Sequence, residues 1–432
     1  VQQAWAETVL EGKELSGEPY FPACVSNGYL EPQRAKLREW HDFDYDAECL
    51  ETAVRVTYQM AHYAYGSNHD GVKADDVRAV IDACSNDRSA GPVGNKFGLQ
   101  TKQAFYEVHG EGIADWVNAS IEGGAIDEDT PFARLVGAGY DWTSYGGSLK
   151  RELRAASKIE KPRLFYPCNA HDQILGRSVF GKLASVIHCS WFMSAAFIRV
   201  GMSMEHGQWD HLARMHAARD WTDTSDASKW DASVPAVLLG AMAWLFSMLL
   251  SLSWRSIGKS YIMSRIYAYL FCSDGLMFRK GRGNASGDYL TSDLNSMTRT
   301  LVVVYNFCRW RQEYCSDLVV TASLIHRLLT ISAFGDDCAV SGDTDESINF
   351  TRSTWTRANQ ERWSKEIGIT ITHDDAPLYG LSSKHTFLSQ EFHKTETGLW
   401  VPRSTRPEKL LYSLLYGSDD DSTLKGQCDA CL

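Results

Sequence analysis

Two adjacent acids behind a glycine, Gly335-Asp336-Asp337, are the residues of this sequence whose type and spacing point most directly to chemistry. They lie within LLTISAFGDDCAVS (328–341), where the apolar residues Leu328, Leu329, Ile331, Ala333 and Phe334 lead in and Ala339-Val340 leads out. That pattern predicts a hairpin with a tight glycine turn, and a carboxylate at its tip can face a divalent cation rather than the core. Nucleotidyl transfer needs such a tip, because acids from neighbouring strands must hold two metal ions roughly 4 Å apart. A solvated acidic turn is the competing explanation, and the rest of the chain has to decide between them.

A further acid is available in Trp221 to Ser233, WTDTSDASKWDAS. Asp226 and Asp231 are five apart and would point to opposite faces of one continuous strand. A strand that ends after Asp226 and turns at Ser228-Lys229 brings both to one site. The stretch also reads as an acidic loop before a helix start at Ser233-x-Pro235. Opposite charge is supplied by Lys150 to Arg163, with six basic residues against two acids, running into the strand-like Leu164-Phe165-Tyr166-Pro167. A charge run is usually a solvated helix face; one at the junction of a loop and a packed strand suits fixed contacts to triphosphate oxygens.

Small hydrogen-bonding groups come from two other places. Residues 281–305 open with a loop around Ser286 and Gly287 and continue as an amphipathic helix, with Leu290, Leu294, Met297 and Leu301 on one face and Thr291 and Asn295 on another. Helix capping accounts for Ser286 but not for an asparagine in mid-helix. Ser89-Ala90-Gly91-Pro92, with Lys96 beyond it, is either a surface loop or one whose small residues let a nucleic-acid backbone come close to basic side chains.

The elements that must position these groups are less explicit. Glu48 to Tyr65 has helical periodicity. Ala232 to Trp254 contains no charged residue and is long enough to span a bilayer, yet Pro235, Gly240 and four serines dilute it, and the mean hydropathy of -0.29 indicates no companion span. A buried helix is expected. At 432 residues the chain can form two or three subdomains, and its net charge of -11 excludes a general coat for nucleic acid but not a locally basic channel. Eleven cysteines, odd in number and scattered, form no disulfide framework and fit a reducing compartment; Cys428 and Cys431 read as an incidental C-x-x-C. The chain opens Val1-Gln2-Gln3 without Met or signal peptide and reads as a piece of something longer.

In their order and separations these stretches resemble the RNA-dependent RNA polymerases of positive-strand RNA viruses, the picornavirus-like and calicivirus-like ones above all. Asp226 to Ser233 is similar to motif A, Ser286-Gly287 through Thr291 and Asn295-Ser296 to motif B, and Phe334 to Asp337 to motif C. Ser89 to Pro92 resembles motif G, Lys158, Lys161 and Arg163 motif F, Glu366 to Asp375 motif D, and Thr386 to Ser389 motif E. The likeness runs from about residue 85 to 392. It implies an α/β (α+β) right-hand fold, with a palm built on an antiparallel sheet with flanking helices (206–255 and 289–392), fingers (1–205, returning at 256–288) and a thumb, short of full length, from 393 to 432.

The resemblance also implies template-directed RNA synthesis from NTPs by two-metal chemistry. Asp226, Asp336 and Asp337 would bind magnesium, with manganese able to substitute. Asp231, Ser286, Gly287, Thr291 and Asn295 would bind the ribose, and Lys158, Lys161 and Arg163 the triphosphate. Ser89, Ala90, Gly91, Pro92 and Lys96 would line the RNA path. Implied partners are template and nascent RNA, NTPs and other viral replication proteins, at a membrane-associated replication complex in the host cytoplasm and with no membrane span in this chain. The sequence departs from the family pattern where a lysine usually follows the motif D acid: Asp375 is followed by Ala376, so His373 and Lys384 become candidates for the general acid that protonates pyrophosphate. The polar approach to Asp226 (Asp223-Thr224-Ser225) also predicts a short strand there. A reverse transcriptase is disfavoured by Asp231, where such enzymes carry a bulky aromatic, and a non-catalytic relative by the presence of Asp226, Asp336 and Asp337 together.

Overall fold

The structure is a computed structural model that describes residues 20–26, 29–38, 43–137, 144–150, 152–409 and 412. The fold mixes helices and sheets. A helical block comes first, after a short strand β1 (Tyr20–Pro22) and helix α1 (Leu30–Arg38): α2 (Ala47–Tyr65), α3 (Val77–Cys84), α4 (Gly91–Lys96), α5 (Lys102–Gly123) and α6 (Pro131–Val136). Side-chain caps start several of these, with Asp46 accepting from Cys49 N–H and Thr101 from Ala104 N–H. Among its described residues the basic stretch forms no α-helix. It lies between the strands β2 (Tyr145–Leu149) and β4 (Leu164–Phe165) and contains β3 (Leu153–Ala155) and a 3-10 turn at Ala156–Lys158, after which α7 (Ala170–Cys189) returns to the core.

The segment carrying the second acidic stretch contains α8 (Gln208–Ala217), β5 (Trp221–Ala227), α9 (Trp230–Ser233), α10 (Ala236–Leu249), α11 (Arg255–Ile266), β6 (Tyr269–Cys272) and β7 (Met277–Arg279). Then come α12 (Thr291–Tyr314), α13 (Ala322–Leu328), β8 (Leu329–Phe334), β9 (Asp337–Gly342), α14 (Arg357–Glu366), β10 (Ile371–His373), β11 (Thr386–Phe387), β12 (Gln390–Lys394) and β13 (Trp400–Ser404). The central sheet has the order β10-β5-β9-β8, antiparallel throughout. A second sheet, β4-β2-β6-β7, contains one parallel pair, β2 with β6. The third is β11-β12-β13, so the expected boundary at 392/393 falls inside β12 and its sheet continues to Ser404. Beyond Lys409 the expected thumb lies outside the described residues but for Tyr412, as do Cys428 and Cys431. The described cysteines are free.

One face of the central sheet packs on α12, and the other on α8 and the third sheet, where Trp209 stacks on Phe392 at 4.7 Å. The uncharged run forms α10 and a 3-10 turn at Leu252–Trp254, with Leu238, Leu239, Met242, Leu245, Phe246 and Leu249 buried. Burying each such side chain contributes roughly 2 kcal/mol, which explains why a charge-free segment sits in the core. Among the described residues no helix is long and apolar enough to cross a membrane.

Two expectations change here. The helix expected to be amphipathic, α12, is buried on every side from Asp293 to Cys308. Its polar side chains are tolerated because they are bonded: Thr298 donates to Leu294 O, Thr300 to Ser296 O, and Asn306 pairs with Ser364. Strand β5 runs its full seven residues despite its polarity, for the same reason. Thr222 bonds Ser341 (2.8 Å), Asp223 accepts from Arg357 Nε (2.9 Å), and Thr224 donates to Asp374 (2.5 Å).

Candidate active site

Strands β8 and β9 form the hairpin that the apolar run predicted. Phe334 pairs with Asp337, leaving Gly335 and Asp336 as the turn. Gly335 has φ +66° and Asp336 is not in the positive-φ region, as in a type II′ turn, where glycine belongs first. On the other side of β9, Ser225 pairs with Cys338, so the next pair outward is Asp226 and Asp337. Beyond Ala227 the chain turns at Ser228 and Lys229, the latter at φ +55°, and α9 brings Asp231 back toward the same end of the sheet. The turn after Asp226 thus does what the spacing required.

Asp226 is exposed, with Oδ1 accepting Ala227 N–H (2.8 Å); Asp336 and Asp337 are partly buried. Burial first, then the neighbouring Asp226, raises Asp336 to about 6. Burial, then Asp336 and Asp226, raises Asp337 to about 7, against a hydrogen bond from Leu388 N–H. Carboxylates that hold one another's protons on are a hard-oxygen donor set suited to a divalent cation. Among the described residues no three His, Cys, Asp or Glu side chains are already gathered closely enough to hold a metal ion, so the acids converge on one end of the sheet without forming a closed cage.

Around these acids the structure assembles the other candidates. Arg163 Nη2 lies 3.3 Å from Asp231 Oδ2, with side chains 53% and 28% exposed, and its charge opposes the rise at Asp336. Lys158 and Lys161 are exposed on the turn before β4 and make no ion pair among the described residues. Tyr166 N–H reaches Ser286 Oγ (3.4 Å), and Gly287 bridges Pro167; a Cβ on Gly287 would come 2.6 Å from Tyr166 O. Asn295 is buried and accepts from Asn284 Nδ2 (2.8 Å), leaving its own amide N–H groups to offer. Thr291 spends its proton on Ala285 O (2.6 Å) and Asp288 O, closing the loop at the start of α12.

Ser89 to Pro92 differs from the loop expected. Gly91 begins the short helix α4, Ala90 and Gly91 are buried, and α4 docks through Val93 N–H on Asn169 Oδ1 (2.9 Å). Gly91, at φ +83°, is required by its own chain, since a Cβ there would lie 2.6 Å from Cys168 O. Ser89 and Lys96 remain exposed, beside a cavity of about 520 Å³ that Pro92, Ser148 and Phe271 also line.

His373 is placed away from the acids. Its partner across β10 and β5 is Ser225, and cross-strand partners share a face, so it lies on the face of Asp223 rather than that of Asp226. Its side chain is 4% exposed, with Nδ1 2.8 Å from Asp223 Oδ2 but outside hydrogen-bond geometry, and Nε2 is buried without a partner. Lys384 is exposed in the turn before β11. Ala376 is buried, and its carbonyl accepts from Arg357.

Sequence reasoning missed Asp374. On the face of Thr224 and Asp226, its Oδ2 accepts from Thr224 Oγ1, Thr386 N–H (2.8 Å) and Thr386 Oγ1 (2.8 Å), joining the central sheet to β11, and its charge adds to the rise at Asp337. The adjacent acids Asp374-Asp375 are a signal, but only the register distinguishes the bonded one from the exposed one. Leu388 and Ser389, within the stretch likened to motif E, form a turn in which both are non-glycine at positive φ (54° and 58°); such residues cost roughly 1–2 kcal/mol each. It is this turn that delivers the Leu388 N–H to Asp337.

A family model described as viral RNA-dependent RNA polymerase matches residues 141–419. Over 280 residues the chain is 29% identical to the genome polyprotein of Watermelon mosaic virus II (isolate USA), covering 62% of this chain and 25% of that polyprotein. It is 28% identical over 224 residues to the genome polyprotein of Soybean mosaic virus (strain N), covering 49% of this chain and 7% of the relative. Against that of Brome streak virus (strain German) the identity is 24% over 274 residues, covering 60% and 26%. The chain therefore spans only a small part of the curated relatives it matches.

Proposed function

Because the chain belongs to the viral RNA-dependent RNA polymerase family, we propose that it carries out template-directed RNA synthesis from NTPs, at the end of the central sheet where Asp226, Asp336 and Asp337 meet. The observation that carries this reading is the set of three carboxylates on adjacent strands, two of them with raised pKa, faced by the Arg163–Asp231 pair. Asp226, Asp336 and Asp337 would hold magnesium, or manganese in its place, which when bound acidifies an RNA 3′-hydroxyl and neutralises the departing pyrophosphate.

The chain's own residues supply the remaining functions. Arg163 on one side of Asp231, with Lys158 and Lys161 on the same exposed turn, binds the triphosphate and neutralises charge that grows on it. Asp231 and the Asn295 amide read the ribose hydroxyls, while Ser286, Gly287 and Thr291 hold the loop between them. Ser89 and Lys96 line the template path beside α4, with Ala90, Gly91 and Pro92 shaping its wall. Of the two candidate general acids, Lys384 is the one left in solvent. In this reading the central sheet with α8, α10 and α12 is the palm, the helical block and the β2 sheet the fingers, and the segment after β13 the start of a thumb. The partners are template and nascent RNA, NTPs and other viral replication proteins, in a membrane-associated complex in the host cytoplasm.

The test is primer extension on an RNA template with ribonucleotides and magnesium, alongside RNA binding by gel shift. Asp336→Ala should abolish extension and leave RNA binding intact. Near-normal extension by that variant overturns the assignment.

A further inference from the structure

Behind the Gly335-Asp336 turn, on the side away from solvent, α12 presents two side chains one helical turn apart. Ser296 Oγ donates to Ser292 O (2.7 Å) and accepts Gly335 N–H (2.8 Å), so both of its bonding directions are spent on a rigid tether. Arg299, 1% exposed, donates from Nε to Asp336 O (3.2 Å) and from Nη2 to Ser225 Oγ. Its two acceptors belong to different elements, the β8–β9 turn and strand β5. One is the backbone of Asp336, and the other is the residue immediately before Asp226.

Among the described residues Arg299 has no carboxylate partner. Burying a guanidinium without one costs several kcal/mol, and apolar packing would stabilise the core better. What the guanidinium provides is a planar fork of fixed geometry, which spans two acceptors as a flexible ammonium cannot. On the reading given under Proposed function, we propose that Arg299, braced by Ser296, is a positioning residue that fixes the spacing of Asp336 and Asp226 from inside the core. Arg299 touches neither substrate nor cation; it acts through the backbone of one acid and the neighbour of the other. A displacement of about 1 Å at a catalytic group can cost about a hundredfold in rate, so a fork holding both acids governs the competence of the site.

The experiment compares wild type, Arg299→Lys, Arg299→Gln, Ser225→Ala and Asp336→Asn in the full chain. Binding of Mn²⁺ to the RNA-free protein is followed by electron paramagnetic resonance, and single-nucleotide incorporation is measured as kcat and KM for the NTP. Arg299→Lys and Arg299→Gln should weaken Mn²⁺ binding about fivefold or more and lower kcat about tenfold or more, with KM within about twofold. Ser225→Ala, which removes one acceptor without touching the charge, should shift both in the same direction by less. A merely structural arginine would lower the melting temperature and leave Mn²⁺ affinity and kcat of the folded protein unchanged, and that result overturns the proposal. If Arg299→Gln does not fold, wild-type Mn²⁺ affinity and kcat in Ser225→Ala overturn it instead. Unchanged Mn²⁺ binding in Asp336→Asn would sink the metal assignment itself, which separates failure of the premise from failure of the inference.

Discussion

Lowering the pH from 7.5 to 5 should destabilise this protein by about 2 kcal/mol through one buried side chain, His216 of α8. Its Nδ1 is 2.7 Å from Ser341 Oγ and its Nε2 is 2.9 Å from Ser332 Oγ, so it cross-links β8 and β9, the two strands of the hairpin whose tip holds Asp336 and Asp337. Burial first, then the charges of Arg199, His385 and Arg219, pushes its pKa down to about 3. In the unfolded chain the imidazole titrates near its ordinary value of about 6.5. Between those values the unfolded state binds the proton and the folded state does not. The stability is therefore complete above the unfolded value and is lost as pH falls, at about 1.4 kcal/mol per unit, until the folded value is reached. One and a half units below 6.5 gives the figure stated. Urea unfolding of wild type and His216→Gln at both pH values measures it, because other titrating groups cancel in the double difference. Wild type should lose about 2 kcal/mol more than the variant, and losses equal to within about 0.5 kcal/mol would refute the assignment of a neutral, buried imidazole.

Other outcomes follow from the same geometry. Asp231→Ala and Asn295→Ala should narrow the preference for ribonucleotides over deoxyribonucleotides by about tenfold or more in competition assays, and an unchanged ratio in both would move ribose reading elsewhere. Leu238→Asp places a charge at a fully buried point of α10 and should cost several kcal/mol, about 4 or more; a normal melting curve would contradict the packing of that helix. His373→Ala should leave the pH profile of single-turnover incorporation unchanged and cost about 0.5–3 kcal/mol of stability, as removing a packed, buried side chain does; a slower step with an altered profile would restore His373 as the acid. Ala376→Lys should lower the melting temperature without raising the rate, because that position is buried.

The parts of this site legible in the sequence are those encoded by neighbours in the chain. Asp336 and Asp337 were recoverable because an apolar run, a glycine and a second apolar run make a hairpin whatever surrounds it. The return of Asp231 toward the end of the strand that carries Asp226 was one of two readings of its stretch, and the turn at Ser228-Lys229 is what accomplishes it. The burial of α10 followed from its lack of charge. The errors arose where a polar residue is satisfied by a partner remote in sequence. Asp223 has Arg357, Thr224 has Asp374, and Asn306 has Ser364; none of these pairings leaves a local trace, so β5 looked too polar for a strand and α12 looked half exposed. Gly91 carries a constraint that is equally remote in sequence, since a Cβ there would meet the backbone of Cys168 and Asn169.

The choice between His373 and Asp374 shows why such errors matter for function. The two are adjacent, so on an extended chain they must face opposite sides of the sheet. Which one shares a face with Asp226 depends only on whether Ser225 or its neighbour stands opposite His373, and a slip of one residue would exchange them. Strand β10 is three residues long and carries no alternation that could set its register. The register is set from outside, by Ile371 packed in the core, by Arg357 and Asp223 on one face, and by Thr224 and Thr386 on the other. The imidazole is thereby turned into the core, and the face of Asp226 receives instead a carboxylate already committed to three hydrogen bonds. Of the two residues proposed as proton donors to the leaving group, Lys384 is the one that stays in solvent, in the turn before β11.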